Sequence, residues 1–367
     1  MDHSLDTLRA RTQGARYVEL DGLRGWAAFT VILHHFCYLY DLREPAWLIP
    51  ILAGHEAVLL FFLLSGFVLS LPFWNRGSNG PYGPYLIRRI FRIYVPYLGA
   101  VVLAALGMMV MGNKHLPLGD WYALTWQQPL SFRMFFDQVL MSPSPVMNTA
   151  FWSLRYEMQM SIAFPLVVWL ISRAPSIVGI LIALALNGAT TWMMRHHVPN
   201  WHYALETVHY GSLFVVGAIL ARERAVLRGL WDRMGRVFQW IFIVVSCLAY
   251  WGIWRRPLYV HHLPNCPEIL LVTGAVGLLL AAMYAAPLRR LLSSGIPEYL
   301  GRISYSLYLV HGTVLFFLAN LLYGRLGWTG ILPIYLVIAI GLAHLFCVTI
   351  EEPALRAGKL IAGKFRA

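Results

Sequence analysis

Ten stretches of the 367-residue chain are apolar over lengths close to that of a membrane-crossing helix. A helix needs about 20 residues to cross the hydrocarbon core of a bilayer. The stretches fall at residues 22–42, 53–73, 93–112, 150–171, 177–194, 208–221, 237–254, 268–286, 303–323 and 330–350, of which the sixth is short. They predict an all-α, polytopic transmembrane helical bundle of about ten spans, in a single domain over residues 1–367.

Composition supports this prediction. Hydrophobic residues make up 59% of the chain and charged residues 13%, about half the charged fraction of a soluble domain. The net charge of +12 comes from short basic loops between the apolar runs, which have a membrane explanation. No helix-turn-helix or RNA-binding signature accompanies them, so we expect no nucleic-acid partner.

The distribution of Lys and Arg predicts the orientation of the bundle. With ten spans and a cytoplasmic N-terminus, 21 of the 29 basic residues fall in cytoplasmic islands, seven in outer islands and one, Arg155, inside a span. This bias predicts that both termini are cytoplasmic, with residues 1–19 as an N-terminal segment and 352–367 as a C-terminal tail. Residues 1–19 lack an apolar region of their own, so we expect no cleaved signal peptide.

The cysteines and the longest outer connection are two further features of the sequence. The four cysteines form no CxxC pair and three lie in apolar runs, so they are interpreted as packing residues, with no metal site predicted. The longest outer connection, about 113–149, contains GDWYALTWQQP. It is interpreted either as a lid or re-entrant piece, or as a plain solvated loop.

The first apolar stretch, LDGLRGWAAFTVILHHF, carries ionisable groups that hydrocarbon disfavours. Arg24 and His35 are eleven positions apart, which places them on one face of a helix and about 16 Å apart along its axis. Arg24 is either a snorkelling anchor paired with Asp21 or part of a site. His35 and its neighbour His34 are either interhelical hydrogen-bonding groups or functional ones.

The second and third stretches add further candidates. In FFLLSGFVLS, Ser65 marks either close helix packing or a substrate-facing bend. In PYLIRRIFRIYVPY, Arg88, Arg89 and Arg92 crowd the start of a span. Clustered guanidiniums at a helix start can bind phosphates in a bidentate manner, although an anchor for lipid headgroups is the alternative.

Polar groups also lie within the fourth and ninth stretches. Arg155 and Glu157 in FWSLRYE point to different faces of one helix, so each needs a partner elsewhere. Glu157 is expected at a depth similar to that of His35 and could meet it, with a structural ion pair as the alternative. In the ninth stretch Tyr308 and His311 continue a polar stripe that is either bundle packing or a site, and the EEP sequence after the tenth stretch is assigned to packing and helix termination.

These blocks together resemble the acyltransferase family 3 of integral membrane O-acyltransferases, which mostly modify cell-surface sugars of bacteria. The resemblance covers nearly the whole chain through LDGLRGWAAFTVILHH, FFLLSGFVL, RRIFRIYVPY, FWSLRYE, ISYSLYLVH and EEP. The spacing of Arg24 and His35 and the RxxR pattern of Arg89 and Arg92 match the hallmarks of that family. One departure is Met158, which stands where the family often has a second acidic residue.

The resemblance implies an acyl-CoA donor, a ten-helix bundle and transfer of the acyl group to a hydroxyl. It also implies essential roles for His35 and Arg24, with Arg89 and Arg92 on the donor side. No cofactor is expected to be permanently bound. The expected co-substrate is acyl-CoA, with acetyl as the leading acyl group by analogy, and the expected acceptor is a sugar or glycoconjugate. A multi-pass protein of the bacterial inner (plasma) membrane, surrounded by lipids, is implied. Because no appended outer domain follows the tenth stretch, a scheme that relies on one is not expected.

For the reaction itself, the hypothesis makes His35 the general base, supported by Glu157. Histidine has an ordinary pKa of about 6.5, and burial favours its neutral form. Direct transfer and a transient acyl-enzyme are both open. The remaining candidates are expected to contact the substrates: Arg24, Arg88, Arg89 and Arg92 for the donor phosphates, and Ser65, Arg155, Tyr308 and His311 for the reacting groups or the acceptor.

Two other classes of protein fit some of these observations. A proton-coupled transporter of a small anionic or sugar substrate would also place histidines, acids and arginines in the membrane. The sequence shows no inverted repeat and no paired Gly/Pro-interrupted helices, which disfavours that class. The third class is a scaffold for a partner enzyme.

Overall fold

The computed structural model describes residues 17–42, 52–76, 81–112, 114–142, 147–196, 202–251 and 266–365, and every regular element in these ranges is helical. The α-helices are, in chain order, α1 (Val18–Leu39), α2 (Gly54–Arg76), α3 (Tyr82–Met111), α4 (Asp120–Ala123), α5 (Phe132–Val139), α6 (Trp152–Ser172), α7 (Ser176–Arg195), α8 (His202–Arg222), α9 (Arg224–Arg233), α10 (Arg236–Trp251), α11 (Cys266–Tyr284), α12 (Ala286–Leu292), α13 (Gly295–Leu322), α14 (Trp328–Phe346) and α15 (Glu352–Lys364). A 3₁₀ turn (Thr149–Phe151) precedes α6, and a π-helical turn (Cys347–Glu351) joins α14 to α15.

Each of the ten apolar stretches overlaps one of these helices, which confirms the all-helical prediction for the described ranges. Six helical runs there are long and apolar enough to cross a membrane on their own, or seven if α11 and α12, bent by 89°, form one span. Helices α1, α6 and α10 are not long and apolar enough to count as spans on their own, for physical reasons. Polar and charged residues lower the hydropathy of α1 and α6, and α10 is only 16 residues long. The count of ten spans and the orientation of both termini stay predictions.

Glycines let α1 approach two other helices closely. A Cβ on Gly22 would collide with the carbonyl of Leu292 at the end of α12, and a Cβ on Gly25 would collide with the backbone at Gly301 in α13. Arg24 lies between these two glycines, so the close contact fixes where the Arg24 backbone lies. The DGLRG sequence is therefore first a packing motif that positions an arginine.

A close helix contact of the same kind lies next to Ser65, at Gly66. A Cβ on Gly66 would collide with the backbone of Phe214 in α8, so Gly66 serves close helix packing. Helix α2 continues through this position without a break. Ser65 points elsewhere, to the cavity described below.

The outer connection is packed into the bundle where the structure describes it. Tyr122 and Trp126 are fully buried, and the Tyr122 hydroxyl donates to Oδ1 of Asn320 on α13 over 2.7 Å. The Trp126 indole donates to the Met147 carbonyl over 3.0 Å. The connection is therefore not a plain solvated loop, because it covers the outer part of α13 with buried aromatic side chains.

Candidate active site

A cavity of about 840 Å³ lies between α1, α2, α3, α6 and α13, and the start of α15 completes its wall. Its lining runs along α2 from Phe73 to Val58, fifteen positions or about 22 Å of helix. Phe73 lies near the end of α2 that is predicted to be cytoplasmic, and Val58 lies near the opposite end. The cavity is thus deep. Its far end, on the side of Val58 and called its inner end below, lies close to the predicted outer side of the membrane.

Five arginines line this cavity, and four of them are the residues that the sequence singled out. They are Arg24, Arg88, Arg89, Arg92 and Arg302. Four carboxylates line the same walls, namely Asp21, Glu157, Glu351 and Glu352. The cavity is therefore nearly balanced in charge, with an excess of one positive group. The sequence predicted the arginines as a group but not the full set of acids that accompanies them.

Carboxylates hold three of these guanidiniums in place. Arg24 lies 3.4 Å from Asp21, and Arg89 lies 3.6 Å from Glu157. Arg89 also donates from Nε and Nη2 to the Ser161 hydroxyl, over 3.2 and 3.1 Å. Because a guanidinium has five N–H donors, an arginine that gives one or two of them to an acid keeps others for a ligand.

The third pair contains a residue that sequence reasoning missed. Arg92 donates to Oε1 of Glu351 over 3.0 Å, and Ser306 donates to Oε2 of the same carboxylate over 2.6 Å. Glu351 is only 2% exposed and lies in the π-helical turn, an irregularity often found at functional sites. The assignment of the EEP sequence to packing and termination was wrong for Glu351. The only signal in the sequence was an acid directly after an apolar stretch, which a helix end also explains.

The expected contact between Glu157 and His35 is not formed. Glu157 pairs with Arg89 among the arginines, while His35 bonds to His311. The prediction failed because Glu157 was placed by counting along one helix, which gives no account of how far neighbouring helices are shifted along their axes. Glu157 belongs to the cavity wall and not to the surroundings of His35.

His35 and His311 form a coplanar pair. Nδ1 of His35 lies 2.8 Å from Nε2 of His311, and the two ring planes differ by 5°. Nδ1 of His311 lies 2.9 Å from the Tyr308 carbonyl and 3.1 Å from that of Leu307, so it must carry a proton. In a neutral His311, Nε2 is then the acceptor, which makes Nδ1 of His35 the donor. Nε2 of His35 is left with a lone pair and has no hydrogen-bond partner among the described residues.

The two histidines lie just beyond the inner end of the cavity. Neither is among the residues that line it. Tyr308, which does line it, has its ring 5.8 Å from the ring of His311. His311 is fully buried and His35 is partly exposed. The Trp121 indole, from the outer connection, stacks on His35 with ring centroids 5.1 Å apart. Tyr308 and His311 thus link the cavity wall to His35 side chain by side chain, and the Trp121 indole covers His35 on another side.

Two hydroxyls face each other at the inner end of the cavity. The hydroxyl oxygens of Ser153 and Tyr308 are 2.7 Å apart, and each residue is 6% exposed. The Phe61 ring meets the Tyr308 ring edge to face, with centroids 5.8 Å apart. Tyr308 and Ser65, both predicted as substrate contacts, line the cavity. Ser153 was missed, although it stands in the FWSLRYE block.

Two further predicted residues lie elsewhere. The Arg155 guanidinium lies over the Tyr203 ring at 5.1 Å and does not line the cavity, so it does not join the other candidates. Nδ1 of His34 lies 2.7 Å from the Leu52 carbonyl, so His34 hydrogen-bonds to the backbone just before α2 and does not line the cavity.

Comparison with known proteins supplies the class of protein that this site belongs to. Residues 17–351 match the family model of the acyltransferase 3 type, described as an acyltransferase domain. The chain therefore belongs to the acyltransferase family 3 and is an acyltransferase. Its apolar helices and its family mark it as a membrane protein.

Three bacterial proteins are among its relatives. Nodulation protein 10 of Rhizobium leguminosarum bv. viciae is 22% identical over 365 residues, with 92% of each chain covered. Acyltransferase MdmB of Streptomyces mycarofaciens is 26% identical over 375 residues, with 93% of this chain and 92% of the relative covered. Protein 2 in the picA locus of Rhizobium radiobacter is 32% identical over 135 residues, 35% of this chain and 66% of the relative. No solved structure was found to match.

Proposed function

We propose that the protein moves an acyl group, in the first instance acetyl, from cytoplasmic acyl-CoA to a hydroxyl of a sugar-containing acceptor. One observation carries this proposal. One deep cavity is lined by the arginine cluster towards one end and by the Ser153 and Tyr308 hydroxyls at its inner end. The pair of His35 and His311 lies behind that inner end. The acetyl group, the CoA donor and the sugar acceptor are taken from the family resemblance.

The arginines suit the phosphates of a CoA donor. Arg88, Arg89 and Arg92 stand on two successive turns of α3, and Arg24 faces the same cavity from α1. Guanidiniums bind phosphate oxygens through parallel N–H donors. A donor bound there by its phosphates would extend its pantetheine arm along the cavity, so that the thioester lies near Ser153 and Tyr308.

His35 is the proposed base, with His311 in the orienting role first given to Glu157. The acceptor oxygen attacks the thioester carbonyl carbon while its proton passes to Nε2 of His35. The C–S bond then breaks, the acceptor keeps the new C–O ester bond, and the CoA thiolate takes the proton back from His35. The proton that Nδ1 of His35 shares with His311 keeps the lone pair on Nε2, as an orienting partner does in a catalytic triad.

The surroundings of the protein follow from the same proposal. The donor arrives from the cytoplasm, the acceptor approaches His35 from the side of the outer connection, and the bundle lies in a bacterial inner membrane among its lipids. The named relatives all come from bacteria, which supports the setting.

The proposal can be tested in membrane vesicles that contain the protein and their own glycoconjugates. Acetyl-CoA labelled in the acetyl group is added to these vesicles. We expect labelled ester in the glycoconjugates and one free CoA thiol for each ester formed. Vesicles with the Arg89→Ala variant should need much higher acetyl-CoA for the same rate, because a donor contact is lost. Label that crosses the membrane without forming an ester would instead mark a carrier and refute the proposal.

A further inference from the structure

The hydroxyl pair at the inner end of the cavity has a role of its own. We propose that Ser153 and Tyr308 are the hydrogen-bond donors that stabilise the thioester carbonyl oxygen as it becomes an oxyanion. This inference rests on the proposed function, because it needs a thioester in the cavity. It adds two catalytic residues, one of them absent from the sequence prediction.

The position of the pair in the cavity is the first argument. Arg88 and Arg92 line the cavity on α3 near the predicted cytoplasmic side. Ser153 is the second residue of α6, which begins at the predicted outer side, and it lines the opposite end of the cavity together with Tyr308. Phosphates and thioester are at opposite ends of an extended acyl-CoA. A donor held by the arginines therefore presents its carbonyl to the hydroxyls.

The second argument is the count of protons. Each hydroxyl carries one proton and can accept as well as donate. Among the described residues, the only hydrogen bond of either hydroxyl is the one that joins them. One of the two protons is used in that bond, so one O–H is left without an acceptor at the cavity wall. A thioester carbonyl supplies the missing acceptor.

The third argument is rigidity. An oxyanion is stabilised most by donors that are already in place before the charge forms, in a site that excludes water. Both residues are nearly buried, and the Phe61 ring packs against the Tyr308 ring. Tyr308 stands one helical turn before His311, whose ring orients His35. Tyr308 and the ring that orients the base are thus fixed to the same helix, α13.

The pair acts at one step of the transfer. As the acceptor oxygen bonds to the carbonyl carbon, the C=O electrons move onto the oxygen, which accepts the free O–H of the pair. When the C–S bond breaks, the carbonyl reforms and the hydrogen bond weakens. The pair gives up no proton, so the His35 proton path is unchanged.

Variants that remove one oxygen each provide the test. Ser153→Ala and Tyr308→Phe should each lower kcat for acetyl transfer in the vesicle assay by about 10²-fold, the usual loss of an oxyanion donor. The double variant should fall little further, because the two hydroxyls act as a unit. Ser153→Thr keeps a hydroxyl and should recover most of the rate. Binding of free CoA, which has no thioester carbonyl, should be unchanged.

Tyr284→Phe is the matched control, since its hydroxyl donates to the Arg224 carbonyl away from the cavity. It should leave kcat and CoA binding at wild-type values. Wild-type kcat in both single variants would overturn the inference while leaving the acetyl transfer itself established. Equal losses in CoA binding and kcat would also overturn it, because they mark a structural role. A wild-type protein that forms no ester would refute the proposed function instead.

Discussion

Removing either partner of the Arg92–Glu351 pair should destabilise the protein by very different amounts. The Glu351 side chain is 3% exposed and that of Arg92 is 35% exposed, since it faces the cavity. Arg92→Gln therefore leaves a buried carboxylate without its counter-charge, whereas Glu351→Gln leaves a guanidinium that the cavity can hydrate. The asymmetry in exposure decides which variant suffers more.

The magnitudes follow from the two environments. An uncompensated charge in a buried pair costs about 3–5 kcal/mol. Arg92→Gln leaves the hydrogen bond from Ser306 in place, so the expected loss of stability is at the lower end of this range, about 3 kcal/mol. Glu351→Gln resembles the loss of an exposed pair and should cost about 1 kcal/mol. The double variant should lose less stability than the sum of the two single losses, because the two residues are in direct contact.

Thermal unfolding of the purified protein measures which variant loses more stability. Unfolding is detected by the reaction of the cysteine thiols with a fluorogenic maleimide. The apparent Tm should fall by several degrees for Arg92→Gln and by much less for Glu351→Gln. Arg356→Gln, which removes the exposed pair with Glu352, is the control and should shift the apparent Tm very little. Equal losses in the two single variants, or a larger loss for Glu351→Gln, would refute the reasoning from burial.

Three further predictions concern the histidine pair, the helix contact and the outer connection. His311→Gln removes the ring that orients His35 and should lower the transfer rate by about 10²-fold or more at unchanged KM for acetyl-CoA, measured by initial rates. Gly301→Ala puts a Cβ against the α1 backbone and should destabilise the bundle by about 1–3 kcal/mol, seen as a lower apparent Tm. Trp121→Ala uncovers His35 and should raise the hydrolysis of acetyl-CoA in the absence of acceptor, measured by release of free thiol.

Each of these has a contrary result. A His311→Gln variant within twofold of the wild-type rate would show that the ring pair is not needed. Gly295→Ala, where a Cβ meets nothing within 4 Å, is the control for the glycine variant, and equal effects of the two would contradict the contact. Unchanged hydrolysis after loss of the Trp121 indole would mean that it does not shield His35 from water.

The helices could be predicted from sequence because hydrocarbon leaves an apolar run few alternatives. Each predicted stretch overlaps a helix, and the arginine cluster and the Arg24 position fall on one cavity. The number of spans was harder to obtain, because α1 and α6 carry the polar residues of the site and so resemble spans less. The polar residues that the site needs therefore weaken the hydropathy signal of the helices that carry them.

The pairing of side chains could not be predicted, because it depends on how far each helix is shifted along its neighbours. Glu157 and His35 appeared to share a depth, yet Glu157 pairs with Arg89 and His35 with His311. Glu351 was overlooked because its sequence context is that of a helix end. Buried acids that compensate arginines are seen only once the helices are assembled.

The most direct test of the account is the reaction of a His35→Ala variant with acetyl-CoA in vesicles, alongside a His344→Ala control. His344 stacks on Tyr299 and does not line the cavity. Loss of a general base should lower ester formation by about 10²–10⁴-fold while CoA still binds as in the wild type, and the control should transfer normally. Ester formation at the wild-type rate without the His35 imidazole would contradict the account.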